Sequence, residues 1–196
     1  LIFFLQFSNN YKKMKNSFYP EVKSTTVIGL IKDGKAVIGA DGQVTFNNTV
    51  MKGNAKKIRK LYNGKVLAGF AGATADAFTL LERFEQKLES THGNLQRASI
   101  ELAKDWRMDR YLRRLEAMLI VMDNNSIFLL SGTGDVVEPE EPVIAIGSGG
   151  LYAYASALSL MQFSNLEPVE IVNESLKIAS KICIFTNTNF SIETLE

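Results

Sequence analysis

Apolar and polar positions change rhythm several times along the chain, and each change marks an element. From Thr25 the runs "TTVIGLI" and "KAVIGAD" are β-rich and are joined by "KDGK", an Asp-Gly pair that favours a tight hairpin. Shorter β-type runs fill "VTFNNTVMKGNAKKIRKLYNGKVLAGFAG", broken at Asn-Asn, Lys-Gly-Asn and Asn-Gly. The spacing then becomes helical. Ala77, Leu80, Leu81, Phe84 and Leu88 recur on one face of "TADAFTLLERFEQKLES", and Leu95, Ala98, Leu102 and Trp106 do so in "NLQRASIELAKDWRMDRYLRRL", with charges opposite. Strand patterns return in "AMLIVMD", "SIFLLSG" and "VIAIGSGG". Two more helical stretches, "LYAYASALSLMQF" and "PVEIVNESLKIASKI", precede a terminal "CIFTNTNFSIETL".

The resulting order, β-β-(β-β)-α-α-β-β-α-α-β, lacks the βαβ alternation of a doubly wound parallel sheet. No strand is followed by a dinucleotide-binding or P-loop glycine signature. Hairpins alternating with helix pairs predict an α+β fold, a four-layer αββα sandwich of antiparallel sheets covered by helices. Residues 1–24 read differently: aromatic, rich in Asn and Lys, and without periodicity. "LIFFLQF" is too short to span a membrane and no basic stretch precedes it as in a secretory signal. The segment is expected to be a leader outside the fold, with Met14 a candidate start, ahead of a single domain over 25–196.

Composition narrows the chemistry. The chain has 196 residues, 46% hydrophobic and 22% charged, with a net charge of +1. That is the profile of an ordinary globular domain, with no concentrated basic face for nucleic acid. Cys183 is the single cysteine, so an intrachain disulfide is excluded and a reducing compartment is expected. His92 is the single histidine, in a polar stretch that reads as an exposed inter-helix loop. Serine and cysteine hydrolases that rely on a histidine base are thereby disfavoured, as are multi-histidine zinc sites.

A threonine can attack an amide if a base lies beside it. An N-terminal threonine carries its own, the α-amino group, with a reference pKa of about 7.7–8.0. Thr25 could serve in this way only once the Ser24–Thr25 bond is cut; on its own, Thr25-Thr26 reads as the start of a strand. Asp41, in "GADGQ", sits at the end of the second run. In "NAKKIRKLY", strand alternation would turn Ala55, Lys57 and Arg59 to one side, so that a single lysine could point inward; an inward lysine next to an aspartate would form a paired charge that lowers the pKa of a nearby amine. "GFAGATAD" and "GSGG" put glycines at two strand-to-helix junctions, where backbone N–H groups can converge on an oxyanion.

Taken together these motifs resemble the HslV (ClpQ) family of bacterial peptidase subunits, relatives of proteasome β-subunits. The resemblance runs from "TTVIGLIKDGKAVIGADGQ" through "FAGATAD", "ELAKDWRMDRYLRRLEAMLIV", "SGTGDVVEPE" and "AIGSGG" to "ICIFTNTN". It implies an N-terminal-nucleophile hydrolase fold and a threonine-type endopeptidase. By the same resemblance Thr25 is the nucleophile, Lys57 tunes its pKa, Asp41 orients Lys57 and the amine, Ser148 supports the proton network and Gly72 donates to the oxyanion. No cofactor is implied for the chemistry. A sodium ion on backbone carbonyls is implied at Ser180, Cys183 and Thr186, although Ser180 stands where the family usually has glycine. The implied assembly is two stacked hexameric rings fed with unfolded protein substrates by the AAA+ ATPase HslU, which alone uses ATP. A bacterial cytoplasm is expected, with a mitochondrion as the alternative, and neither membrane nor nucleic acid as a partner. The competing readings are an unprocessed or inactive ring subunit and a small-amide hydrolase of the same nucleophile fold.

Overall fold

The computed structural model describes residues 22–23, 25–72, 74–112, 115 and 117–195. Asp33 and Gly34 both take positive φ, 54° and 72°, the signature of a two-residue turn whose twist suits a hairpin. They join β2 (Thr26–Lys32) to β3 (Lys35–Asp41). Next come β4 (Val44–Phe46), β5 (Thr49–Lys52), β6 (Ile58–Leu61) and β7 (Val66–Gly72). Helices α1 (Thr74–Ser90) and α2 (Leu95–Met108) follow, then β8 (Ala117–Met122), β9 (Ile127–Ser131), β10 (Val136–Val137) and β11 (Val143–Gly147). Helices α3 (Gly150–Phe163) and α4 (Pro168–Ile182) and strand β12 (Phe190–Thr194) complete the domain.

Two antiparallel sheets stack face to face. One has the order β11-β2-β3-β12 and the other β10-β9-β8-β7-β6. Three apolar clusters glue four layers together. Val27, Ile38, Leu67, Ile120 and Met122 fill the space between the sheets. Phe70, Leu119 and Val121 pack against Leu80, Phe84, Leu102 and Trp106 of α1 and α2. Ile28, Leu30 and Val37 pack against Ala153, Ile171 and Leu176 of α3 and α4. Strands β2 and β7 are therefore covered on both faces, which is why they read as continuous apolar runs rather than alternating ones. The expected αββα sandwich is the observed one.

Local chemistry sets the helix ends. Asn94 caps α2 by accepting from the backbone N–H of Arg97. Pro168 opens α4, and Glu170 reaches back to accept from the N–H of Glu167, so donors without intrahelical partners are satisfied. Among the described residues no helix is long and apolar enough to cross a membrane.

Two short strands depart from the sequence-based expectation. β10 extends the five-stranded sheet by pairing with β9. β1 (Val22–Lys23) pairs with β4 and, with β5, forms a small third sheet. Those two residues fall in the stretch expected to lie outside the fold; residues 1–21 and Ser24 of that stretch lie outside the described residues. The backbone of β4 accepts a partner there because pairing satisfies N–H and C=O groups regardless of side-chain pattern.

Phe84 is fully buried under the five-stranded sheet, whereas Tyr111 is 82% exposed. Phe84→Ala should cost about 3–5 kcal/mol of stability, and Tyr111→Ala within about 0.5 kcal/mol of nothing, as read from urea midpoints.

Candidate active site

The hairpin register creates the site. Val27 pairs with Ala40, so the start of β2 lies beside the end of β3. There the backbone N–H of Thr26 donates to Oδ1 of Asp41 at 2.7 Å. Thr25 is buried immediately before the strand, at a φ of 120°. β-Branched residues rarely adopt that conformation, and such strain concentrates at functional sites.

Lys57 arrives from the β5–β6 connection. Its Nζ donates to Asp41 Oδ1 at 3.0 Å and to the Gln43 carbonyl at 2.6 Å. Both charged side chains are buried, 2% exposed for Lys57 and 0% for Asp41. Asp41 Oδ2 is occupied as well, accepting from the N–H of Gln43 at 2.8 Å and of Asn187 at 3.2 Å. A buried charge survives only when paired and hydrogen-bonded, and this carboxylate has four donors. Burial pushes the Lys57 amine below its ordinary pKa, while the charge and hydrogen bond of Asp41 pull it back up. Lys57 precedes β6 and is turned inward by its loop, not by alternation within a strand. Arg59, expected on the same side, instead lays its guanidinium over the Phe78 ring, 5.3 Å from the centroid.

The glycine-rich junctions close the other side. Gly147 has a φ of 88°, and a Cβ placed there would come within 2.0 Å of the Thr25 carbonyl oxygen and 3.4 Å of Ala71 Cβ. The end of β11 thus lies against Thr25, with the end of β7 beside it. Gly149 is as constrained, since a Cβ would come within 2.2 Å of Thr26 Oγ1 and 2.6 Å of Thr186 Oγ1. Those two hydroxyls share a hydrogen bond of 2.7 Å. Ser148, between the glycines, is exposed. Gly72 ends β7 with a φ of 125°. His92 lies exposed in the turn between α1 and α2, far in sequence from every residue of this group.

The structure therefore brings Thr25, Asp41 and Lys57 together, with the Gly72 and Ser148 junctions alongside. Ser180, Cys183 and Thr186 lie along the last turn of α4 and the loop beyond it. Carbonyl groups there run out of intrahelical donors, although that of Cys183 accepts from the N–H of Thr186. Such oxygens suit a weakly held monovalent cation; among the described residues no cluster of His, Cys, Asp and Glu could hold a harder-bound metal. The sequence reading passed over Gln43 and Asn187, which share Asp41 Oδ2. Both sit inside quoted motifs, "ADGQ" and "FTNTN", and polar residues beside a catalytic candidate were the available signal.

A threonine at a strand start, beside a buried Lys–Asp pair in an αββα sandwich, defines a class: N-terminal-nucleophile hydrolases of the proteasome type. The chain belongs to the proteasome subunit family, whose sequence profile matches residues 21–195. Within it, the chain sides with the HslV subunits. It is 57% identical over 180 residues to the "ATP-dependent protease subunit HslV" of Chlorobium luteolum, spanning 92% of this chain and 99% of that one. To the subunit of the same name from Treponema denticola it is 59% identical over 175 residues, spanning 89% and 98%. The crystal structure of eukaryotic HslV from Trypanosoma brucei superposes with a TM-score of 0.83 at 40% identity, covering 87% of this chain and 99% of the other. A Thiobacillus denitrificans protein, BPH, shares the fold at 16% identity, with a TM-score of 0.67 over 87% of this chain and 97% of its own.

Asp41→Asn tests the buried pair. A buried Lys57 ammonium without its counter-charge costs about 3–5 kcal/mol near neutral pH. Losing Asp41 also drops the folded-state pKa of Lys57 further below its unfolded value of about 10.4, so the unfolded chain binds more protons across that window. Stability of the variant should then rise with pH as Lys57 is neutralised. Urea midpoints measured from about pH 7 to 10 check this, and a deficit independent of pH would contradict it.

Proposed function

We propose that this chain is the proteolytic subunit of a two-component ATP-dependent protease, a threonine endopeptidase with Thr25 as its nucleophile. The observation that carries the reading is the shared Asp41 oxygen, which accepts from the backbone of Thr26 and from Lys57. It sets a buried lysine and a strand-initial threonine around one carboxylate.

In the precursor the Thr25 nitrogen is an amide and cannot accept a proton. Cleavage of the Ser24–Thr25 bond frees it as an amine beside the Lys57–Asp41 pair. The cation near it disfavours protonation of the amine, which keeps a fraction in the basic form at neutral pH. The amine takes the proton of the Thr25 hydroxyl, directly or through a water, as the oxygen attacks the scissile carbonyl. The N–H of Gly72 donates to the oxyanion, a stabilisation typically worth about 3–4 kcal/mol for one donor. Collapse forms an ester on Thr25 and releases the new amine, which takes the proton from Thr25. Water then attacks the ester and regenerates the hydroxyl. Lys57 acts through its charge, and Ser148 supports the proton network at the edge of the site.

No cofactor enters these steps. The carbonyls of Ser180, Cys183 and Thr186 would hold a sodium ion, whose contribution is to brace the loop that carries Thr186 and Asn187. ATP is hydrolysed by the partner, an AAA+ unfoldase of the HslU type, which threads unfolded proteins to the site. The working assembly is two stacked hexameric rings of this chain in a bacterial cytoplasm. The names of the relatives support an ATP-dependent partnership, the single cysteine supports a reducing compartment, and the ring assembly rests on the family resemblance.

Two measurements test the proposal. N-terminal sequencing of the assembled protein should read Thr-Thr-Val, the chain from Thr25; an assembly that retains Ser24 and is nonetheless active would contradict the mechanism. Thr25→Ala should lower hydrolysis of a fluorogenic tripeptide amide by at least about a thousandfold with ring assembly intact by light scattering. Undiminished hydrolysis would reassign the nucleophile.

A further inference from the structure

The loop after α4 reaches the site at Thr26, Gln43 and Asp41. Asn187 is its hub. Its backbone N–H donates to Asp41 Oδ2 at 3.2 Å. Its side-chain Oδ1 accepts from the N–H of Gly42 at 3.2 Å and of Asn189 at 3.1 Å. Its Nδ2 donates to the Gly53 carbonyl at 2.8 Å, an oxygen that also accepts from Asn189 Nδ2 at 2.8 Å. The amide side chain offers an acceptor and a donor at fixed separation on one plane.

Those partners belong to the two segments that deliver the charged pair. Gly42 follows Asp41 directly, and Gly53 opens the connection that ends at Lys57. The segments run close together: the N–H of Ala55 donates to the Gly42 carbonyl at 2.9 Å. A Cβ on Gly42 would come within 2.5 Å of the Gly53 oxygen and 2.9 Å of Asn54 Cα. Asn187 bridges them from a third segment, with one atom on each and its own N–H on the carboxylate between.

We propose that Asn187 is a positioning residue for the Lys57–Asp41 pair, its side-chain amide fixing the separation of the Gly42 and Gly53 backbones. The inference rests on the threonine-protease reading above. A misplacement of catalytic groups by about 1 Å can cost up to roughly a hundredfold in rate, and the Asn187 side chain acts on the backbone of the two segments that carry the pair. Asn187→Ala should therefore lower kcat by at least about tenfold with KM changed less than twofold. It should also displace the pH profile of kcat, because Lys57 then sits in a looser and wetter setting, with Asp41 the charge that faces it. Asn189→Ala removes only the second donor to Gly53 and should leave both parameters near wild type.

The experiment uses the assembled, processed chain with a fluorogenic tripeptide amide, the wild type in parallel. A kcat loss in Asn187→Ala together with a displaced pH profile supports the proposal. A profile superimposable on wild type, or a loss carried wholly by KM, overturns it. Asn187→Asp, nearly the same shape, keeps the acceptor for Gly42 but puts an oxygen against the Gly53 carbonyl. It serves if the alanine variant does not fold, and failure of both to fold would make Asn187 a folding residue and overturn the positioning role. If wild type itself does not cleave the peptide, the protease reading fails separately. The Lys57 titration followed by lysine-selective NMR then decides for Asn187 without turnover, and an unmoved midpoint in Asn187→Ala overturns the proposal.

Discussion

A single buried carboxylate organises this molecule. Asp41 accepts four hydrogen bonds from four different places in the chain: Thr26, Gln43, Lys57 and Asn187. Without them an ionised carboxylate in a dry site would be too costly to keep charged. With them, the start of β2, the turn after β3, the connection before β6 and the loop after α4 are fixed against one another. Lys57 alone could not do this, since a lone buried ion pair roughly breaks even against desolvation. The backbone donors make the arrangement stable, and three of the four are main-chain N–H groups that no substitution other than proline removes.

The sandwich supplies what the carboxylate requires. Covering β2 and β3 on both faces excludes water from the end of the hairpin, and that exclusion moves the Lys57 pKa downward. The close approach of the β11–α3 junction leaves no room for a side chain at Gly147, against Thr25, or at Gly149, against Thr26. Site and core are therefore not separable layers of the structure. The residues that make the sheets apolar also set the electrostatics at their edge.

Much of this was legible in the sequence, for different reasons. The Asp33-Gly34 turn and the helices over Thr74–Ser90 and Leu95–Met108 follow from local rules, backbone twist and a 3.6-residue period. Thr25, Asp41 and Lys57 were legible as a set by family resemblance; no local pattern would have paired residues 16 apart. Strand alternation does not account for the inward turn of Lys57, which comes from a loop stitched by the tertiary hydrogen bond of Ala55 to Gly42. Asn187 was illegible for the same reason. Its neighbours are 134 to 146 positions away, and an asparagine in a polar loop carries no mark of what it will meet. The pairing of Val22–Lys23 with β4 was hidden too, since a two-residue strand has no period to detect.

The long reach of the loop after α4 has a consequence for biosynthesis. Thr26 meets Thr186 across 160 positions, Gln43 meets Ile184 across 141 and Asp41 meets Asn187 across 146. Chains fold from the N-terminus as they emerge, and contacts between distant positions form last. A chain still on the ribosome can build the Thr26–Asp41 hairpin, but the contacts of Thr26, Asp41 and Gln43 with the loop after α4 wait until Ile184–Asn187 have been made. A half-made subunit thus lacks a finished cutting site while its neighbours are unfolded nascent chains, the material such a site would destroy.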